Sequence, residues 1–180
     1  LNQKAKPKQP KVVGIVMGSD SDYKFMCDAA EALRELNISY DVSIVSAHRT
    51  PTDMMEYATS SIVQGRRIII AGAGGAAHLP GMLAALTDLP VIGVPIPHGP
   101  LQGQDALLSI VQMPRGVPVA TVAIGNSYNA GLLAAKILAF GTDDKALQKR
   151  LQAYREELAE ASRRKKLPKP LTLAATTNKE

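Results

Sequence analysis

The sequence predicts an α/β protein: a flavodoxin-like three-layer sandwich with a five-stranded parallel sheet and an extra long C-terminal helix. Three observations predict it. Short apolar runs alternate along the chain with segments of helical periodicity. Most of these runs are apolar on successive residues, as in strands covered on both faces. Five strand–helix units fit within 180 residues, which suits one doubly wound sheet.

Val12-Val13-Gly14-Ile15-Val16-Met17 is apolar throughout and reads as the first strand. A helix over Tyr23 to Leu36 follows, with Ala29, Ala30, Leu33 and Leu36 at helical spacing. Ser39 to Val45 alternates and forms the second strand. Thr50-Pro51 opens the next helix, Thr as N-cap and Pro at the first helical position. Ile68-Ile69-Ile70-Ala71 is the third strand, followed by a glycine-rich turn and a helix around Pro80 to Leu86. Val91-Ile92-Gly93-Val94 is the fourth, with a helix around Asp105 to Val111 after it. Val119 to Ile124 is the fifth, and Asn129 to Phe140 is helical. Thr142 to Lys166 reads as one long helix with Leu147, Leu151, Tyr154, Leu158 and Ala161 on a shared face.

The expected organisation is a disordered basic tail over 1–11, a single folded domain over 12–166 and a flexible tail over 167–180. Both tails are basic. The net charge is +5, yet residues 12–162 carry −4. The body is therefore mildly acidic, which argues against a nucleic-acid surface. Aromatic residues are 4% with no Trp, few platforms for base stacking. No apolar run nears the ~20 residues that span a bilayer, and the first residues show no apolar signal core, so neither membrane nor secretory targeting is expected. Cys27 is the single cysteine and reads as a core or helix-face thiol. It excludes an intramolecular disulfide and a multi-cysteine zinc site.

In a doubly wound sheet, ligands sit beyond the carboxyl ends of the strands. The chemistry should therefore lie in the loops after strands one, two and three. The first is Gly18-Ser19-Asp20-Ser21-Asp22 at a helix start, where free N–H groups favour an anion. Ser19 and Ser21 offer hydroxyls to phosphate, and Asp22 suits ribose hydroxyls because an ionised carboxylate only accepts hydrogen bonds. Taken alone, the loop reads first as plain helix capping. The second is Ser46-Ala47-His48-Arg49-Thr50-Pro51. His48 can take up and return a proton near physiological pH. Arg49 can grip phosphate or carboxylate with two N–H groups. The plain alternative is a surface His-Arg pair in a turn. The third runs from Ala71 to Met82, where Gly72, Gly74 and Gly75 let backbone amides approach a flat ligand. His78 within it reads as a helix cap, and His98, after strand four, as a surface loop residue. The loop lacks the G-x-G-x-x-G spacing, and the chain has no Walker A loop and no G-x-S-x-G elbow. Three scattered histidines and one cysteine argue against a transition-metal centre.

Met17-Gly18-Ser19-Asp20-Ser21-Asp22, Ser46 to Pro51, Ala71 to Met82 and Ser109 to Thr121 occur in this order. Over roughly residues 12–160 the chain thereby resembles the class I N5-carboxyaminoimidazole ribonucleotide mutases, the PurE family, also called the catalytic subunit of phosphoribosylaminoimidazole carboxylase. The resemblance implies an isomerase of de novo purine (IMP) biosynthesis. Its substrate would be N5-carboxyaminoimidazole ribonucleotide and its product 4-carboxy-5-aminoimidazole ribonucleotide. It implies a cytoplasmic homo-octamer with no metal and no organic cofactor. His48 matches the catalytic histidine, and Ser19, Asp22 and Arg49 match substrate-binding positions. Ser21 and Ser46 lie beside them and are counted with them. Gly74 and Gly75, with His78 nearby, would line the pocket for the imidazole and the migrating carboxylate. The apolar face from Leu147 to Ala161 would pack on a neighbouring subunit. The alternative is a direct CO2-dependent aminoimidazole ribonucleotide carboxylase, the class II activity. Those relatives are expected to carry Lys after the histidine, where this chain has Arg49. A response-regulator-like module shares the fold but needs an Asp ending strand three, where Ala71-Gly72 stands.

Overall fold

Among the described residues, five parallel strands form one sheet in the order β2-β1-β3-β4-β5. They are β1 (Val13–Met17), β2 (Tyr40–Ile44), β3 (Ile68–Gly74), β4 (Val91–Ile96) and β5 (Ala120–Thr121). Six α-helices of the described residues connect and cover them: α1 (Tyr23–Glu35), α2 (Pro51–Ser60), α3 (Leu79–Ala84), α4 (Gln104–Val111), α5 (Ser127–Gly141) and α6 (Lys145–Arg163). The structure is a computed structural model that describes residues 12–167. The expected tails over 1–11 and 167–180 lie outside the described residues, apart from Leu167.

The continuous apolar runs have the predicted cause. Side chains of a strand point alternately to its two faces, and both faces are covered. Val13, Ile15 and Met17 of β1 and Ile68 and Ile70 of β3 join one core with Met26, Ala29 and Leu33 of α1 and a row of alanines from α5. Val16 of β1 and Ile69, Ala71 and Ala73 of β3 join a second core with α2, α3 and α4. A partly buried ion pair ties β2 to the entry of β3. Arg66 donates to both carboxylate oxygens of Asp41, at 3.0 and 2.7 Å. Its guanidinium also stacks on the Tyr57 ring, 4.3 Å from the centroid.

Several boundaries differ from expectation. β3 runs on through Gly74, so half of the supposed glycine turn is strand. Its small residues let α1 press close: a Cβ on Gly72 would come 2.4 Å from Met26 Sδ. β5 keeps only two ladder residues of the expected six. Pro118 has no N–H to offer before it, and at this edge the chain has one neighbour strand only. The contact continues irregularly, with Val122 N–H donating to Gly93 O and Gly125 N–H to Pro95 O. α3 starts and stops earlier than predicted, at Leu79 and Ala84. α6 begins at Lys145, not Thr142. Asp143 takes a left-handed conformation (φ 53°) that breaks the chain from α5, and Asp144 caps the new helix by accepting from Leu147 N–H.

Candidate active site

β1 and β3 are neighbours, and the chain leaves them towards opposite edges of the sheet. That is the switch point where a cleft opens in folds of this kind. A cleft of about 470 Å³ lies there, of a size that suits a small-molecule ligand. Ser19, Ser21, Asp22, Ser46, His48, Arg49, Gly74, Gly75 and His78 line it; Gly72, expected with them, does not, because it lies inside β3 against Met26.

The first loop winds into a single 3-10 turn, Asp20–Asp22, before α1. Ser19 caps it. Its hydroxyl accepts from Ser21 N–H, while Asp22 Oδ2 accepts from Ser19 N–H at 3.1 Å. Helix capping is therefore present, and it leaves the Ser21 hydroxyl exposed at the cleft. Asp22 is 5% exposed, an uncommon depth for a carboxylate, and accommodates burial through its partners.

The second loop is built around Ser46. Its hydroxyl accepts from the backbone N–H and the Nε–H of Arg49, each at 3.2 Å. A terminal guanidinium nitrogen of Arg49 donates to Gly18 O. Arg49 thus clamps the loops after β1 and β2 together and keeps further N–H groups for a ligand. Thr50 stands at the helix start as predicted, but its hydroxyl does not cap α2. It turns back to Ser46, accepting from that residue's N–H and donating to its carbonyl, each at 3.2 Å.

His78 differs from its reading as a cap. It makes no side-chain bond to α3. Its Nδ1 lies 2.8 Å from His48 Nε2, and the rings meet edge to face. One hydrogen fits between those two nitrogens, so one ring donates and the other accepts. The pair joins the loops after β2 and β3 across the end of β1. Gly75 follows with φ +63°, and a Cβ there would meet nothing within 4 Å, so it presents open backbone to the cleft.

Sequence reasoning missed His98. It sits beyond β4, and its Nε2 lies 2.8 Å from Asp22 Oδ1. No spacing signal could have found it, because the two residues are 76 apart in the chain and lie in loops that follow non-adjacent strands, β1 and β4. Cys27 lies on α1 outside the cleft. Burial first, then the Asp28 carboxylate, push its thiol up, which opposes a nucleophilic role.

With this geometry in place, the likeness to known proteins decides the family. The family model described as AIR carboxylase matches residues 12–161. The chain belongs to the AIR carboxylase family. Within that family, an N5-carboxyaminoimidazole ribonucleotide mutase of Mycobacterium leprae is 57% identical over 158 residues, covering 88% of this chain and 91% of that protein. A phosphoribosylaminoimidazole carboxylase of Schizosaccharomyces pombe is 64% identical over 133 residues, 74% of this chain but 24% of the longer protein. Among solved structures, the crystal structure of Treponema denticola PurE superposes with a TM-score of 0.75. It is 29% identical and covers 87% of this chain and 99% of that one.

Proposed function

We propose that this AIR carboxylase family member is an N5-carboxyaminoimidazole ribonucleotide mutase, an isomerase that moves the carboxylate from N5 to C4 of the imidazole. Its high identity to a mutase of nearly its own length supports this reading. So does the cleft. The observation that carries it is the His48–His78 pair, held between an arginine-clamped serine turn and a glycine bend.

The proposed mechanism needs one proton carrier. The substrate is a carbamate on the exocyclic amine. Protonated His48 gives its proton to N5, the N–C bond breaks, and CO2 and the free amine result. The enamine-like C4 carbon then attacks CO2 and forms the new C–C bond. Neutral His48 removes the C4 proton, the ring regains its aromaticity, and His48 ends as it began. Substrate and product are isomers, so nothing else is consumed. His78 holds the His48 ring by one nitrogen, which restricts its orientation at the reacting atoms. Arg49, Ser19 and Ser21 bind the phosphate, and Asp22 the ribose. Ser46 fixes Arg49. The amides around Gly74 and Gly75 face the migrating carboxylate.

Self-association into a homo-octamer belongs to the same reading. Between α5 and α6 a groove of about 560 Å³ has Leu132, Phe140, Leu151 and Leu158 along it, flanked by lysines and Arg155, an apolar strip with a basic rim that suits a neighbouring copy. A cytoplasmic place is also proposed; no described helix is long and apolar enough to cross a membrane. The functional test is an absorbance assay supplying the N5-carboxylated nucleotide without ATP. Formation of the C4-carboxylated product supports the mutase. Product formed only from aminoimidazole ribonucleotide plus bicarbonate would assign the direct carboxylase instead.

A further inference from the structure

Asp22 is the only buried Asp or Glu among the described residues, and its two oxygens are held from different loops. Oδ2 accepts from Ser19 N–H, and Oδ1 faces His98 Nε2 at 2.8 Å. An ionised carboxylate only accepts hydrogen bonds, so the hydrogen sits on Nε2 and His98 is the donor. His98 follows β4, which is separated from β1 by β3. Its ring crosses the end of β3 at Gly74, where a Cβ would come 2.8 Å from His98 Cδ2. Phe25 of α1 meets the ring edge-on, with centroids 5.7 Å apart. The β1 loop, β3, α1 and the β4 loop therefore all bear on one imidazole orientation. The ring still lines the cleft.

We infer that His98 is a positioning residue for the ribose of the nucleotide, acting through Asp22. It rests on the ribonucleotide reading above. With Ser19 N–H on one oxygen and His98 Nε2–H on the other, the carboxylate is held in one rotamer. Its remaining lone pairs form a fixed double acceptor, the arrangement that matches a vicinal diol. Loss of the His98 donor frees the carboxylate to turn, so the diol no longer meets an oriented acceptor.

The test compares wild type, His98→Leu and His98→Gln, each checked for folding by thermal unfolding. Calorimetry measures binding of the C4-carboxylated product nucleotide and of its 2′,3′-dideoxy analogue. His98→Leu should weaken the ribonucleotide roughly tenfold and leave the affinity for the dideoxy analogue within about twofold. It should raise KM more than it lowers kcat. His98→Gln restores an N–H near the position of Nε2 and should recover most of the affinity. Equal weakening of both nucleotides overturns the inference, and so does a Gln variant as impaired as Leu. Wild-type binding with no ribose-specific loss in His98→Leu overturns this inference alone. Wild-type protein that binds neither nucleotide overturns the functional reading and this inference with it.

Discussion

Adding one methyl group at Gly74 probes the centre of the site. An ideal Cβ at this position lies 2.8 Å from His98 Cδ2, 3.3 Å from His98 Cβ and 3.2 Å from Ile96 O. Ordinary contact begins near 3.4 Å, so the ring must retreat by about 0.6 Å. Gly74 does not have a positive φ, so alanine brings no backbone strain and the effect is steric. The His98 side chain is 38% exposed, which gives it solvent to move into. The retreat stretches the 2.8 Å contact with Asp22 beyond the usual range of a hydrogen bond. Losing one bond to a charged group is worth about 1.5 kcal/mol, or roughly tenfold in affinity. Gly74→Ala should therefore raise the nucleotide KM about tenfold in the absorbance assay. Because both substitutions remove the same contact, Gly74→Ala/His98→Leu should be little worse than either alone. Losses that multiply to roughly a hundredfold would refute the proposed packing of His98 across Gly74.

Other substitutions report on neighbouring parts of the site and core. Arg49→Ala removes the clamp on Gly18 and the proposed phosphate contact; nucleotide affinity should fall at least tenfold, as titration calorimetry would show. His78→Leu leaves the His48 ring without its partner; kcat should drop roughly 5- to 30-fold, the worth of one hydrogen bond plus a ring contact, and an unchanged kcat would remove His78 from the account. Tyr57 Oη is buried with no hydrogen-bond partner, so Tyr57→Phe should cost less than about 0.5 kcal/mol at pH 7. Burial first pushes the Tyr57 hydroxyl's pKa up; Arg66 opposes this and Asp41 adds to it. A raised folded-state value means stability is intact below the unfolded value of ~10 and is lost as pH rises past it. Urea unfolding at pH 7 and at about pH 10.5 should therefore show a smaller alkaline loss for Tyr57→Phe than for wild type.

The sheet was legible wherever burial on both faces imposed a continuous apolar run. Ile68-Ile69-Ile70 and Val91-Ile92 announced β3 and β4, because one residue of each pair serves each core. The glycines after Ala71 misled, since Gly is usual in turns; here the small residues keep β3 extended while Met26 packs onto Gly72. Edge strand β5 was overestimated because an apolar run carries no information about how many neighbours will pair with it. The cleft residues were readable because a parallel sheet collects the loops after its strands at one end. Serines, a His-Arg pair and glycines in three such loops had to meet. What no local pattern encodes is which side chains touch. The His48–His78 contact spans 30 residues and His98–Asp22 spans 76, and each depends on the order of the strands rather than on the spacing of the letters.

The role of His48 is tested most directly by His48→Asn, with nucleotide binding and turnover measured on the same preparation. Asparagine keeps a polar group in the cleft but cannot carry a proton between N5 and C4. The expected result is product affinity within about threefold of wild type and a fall in turnover of at least about 100-fold. Turnover near the wild-type rate would contradict the account.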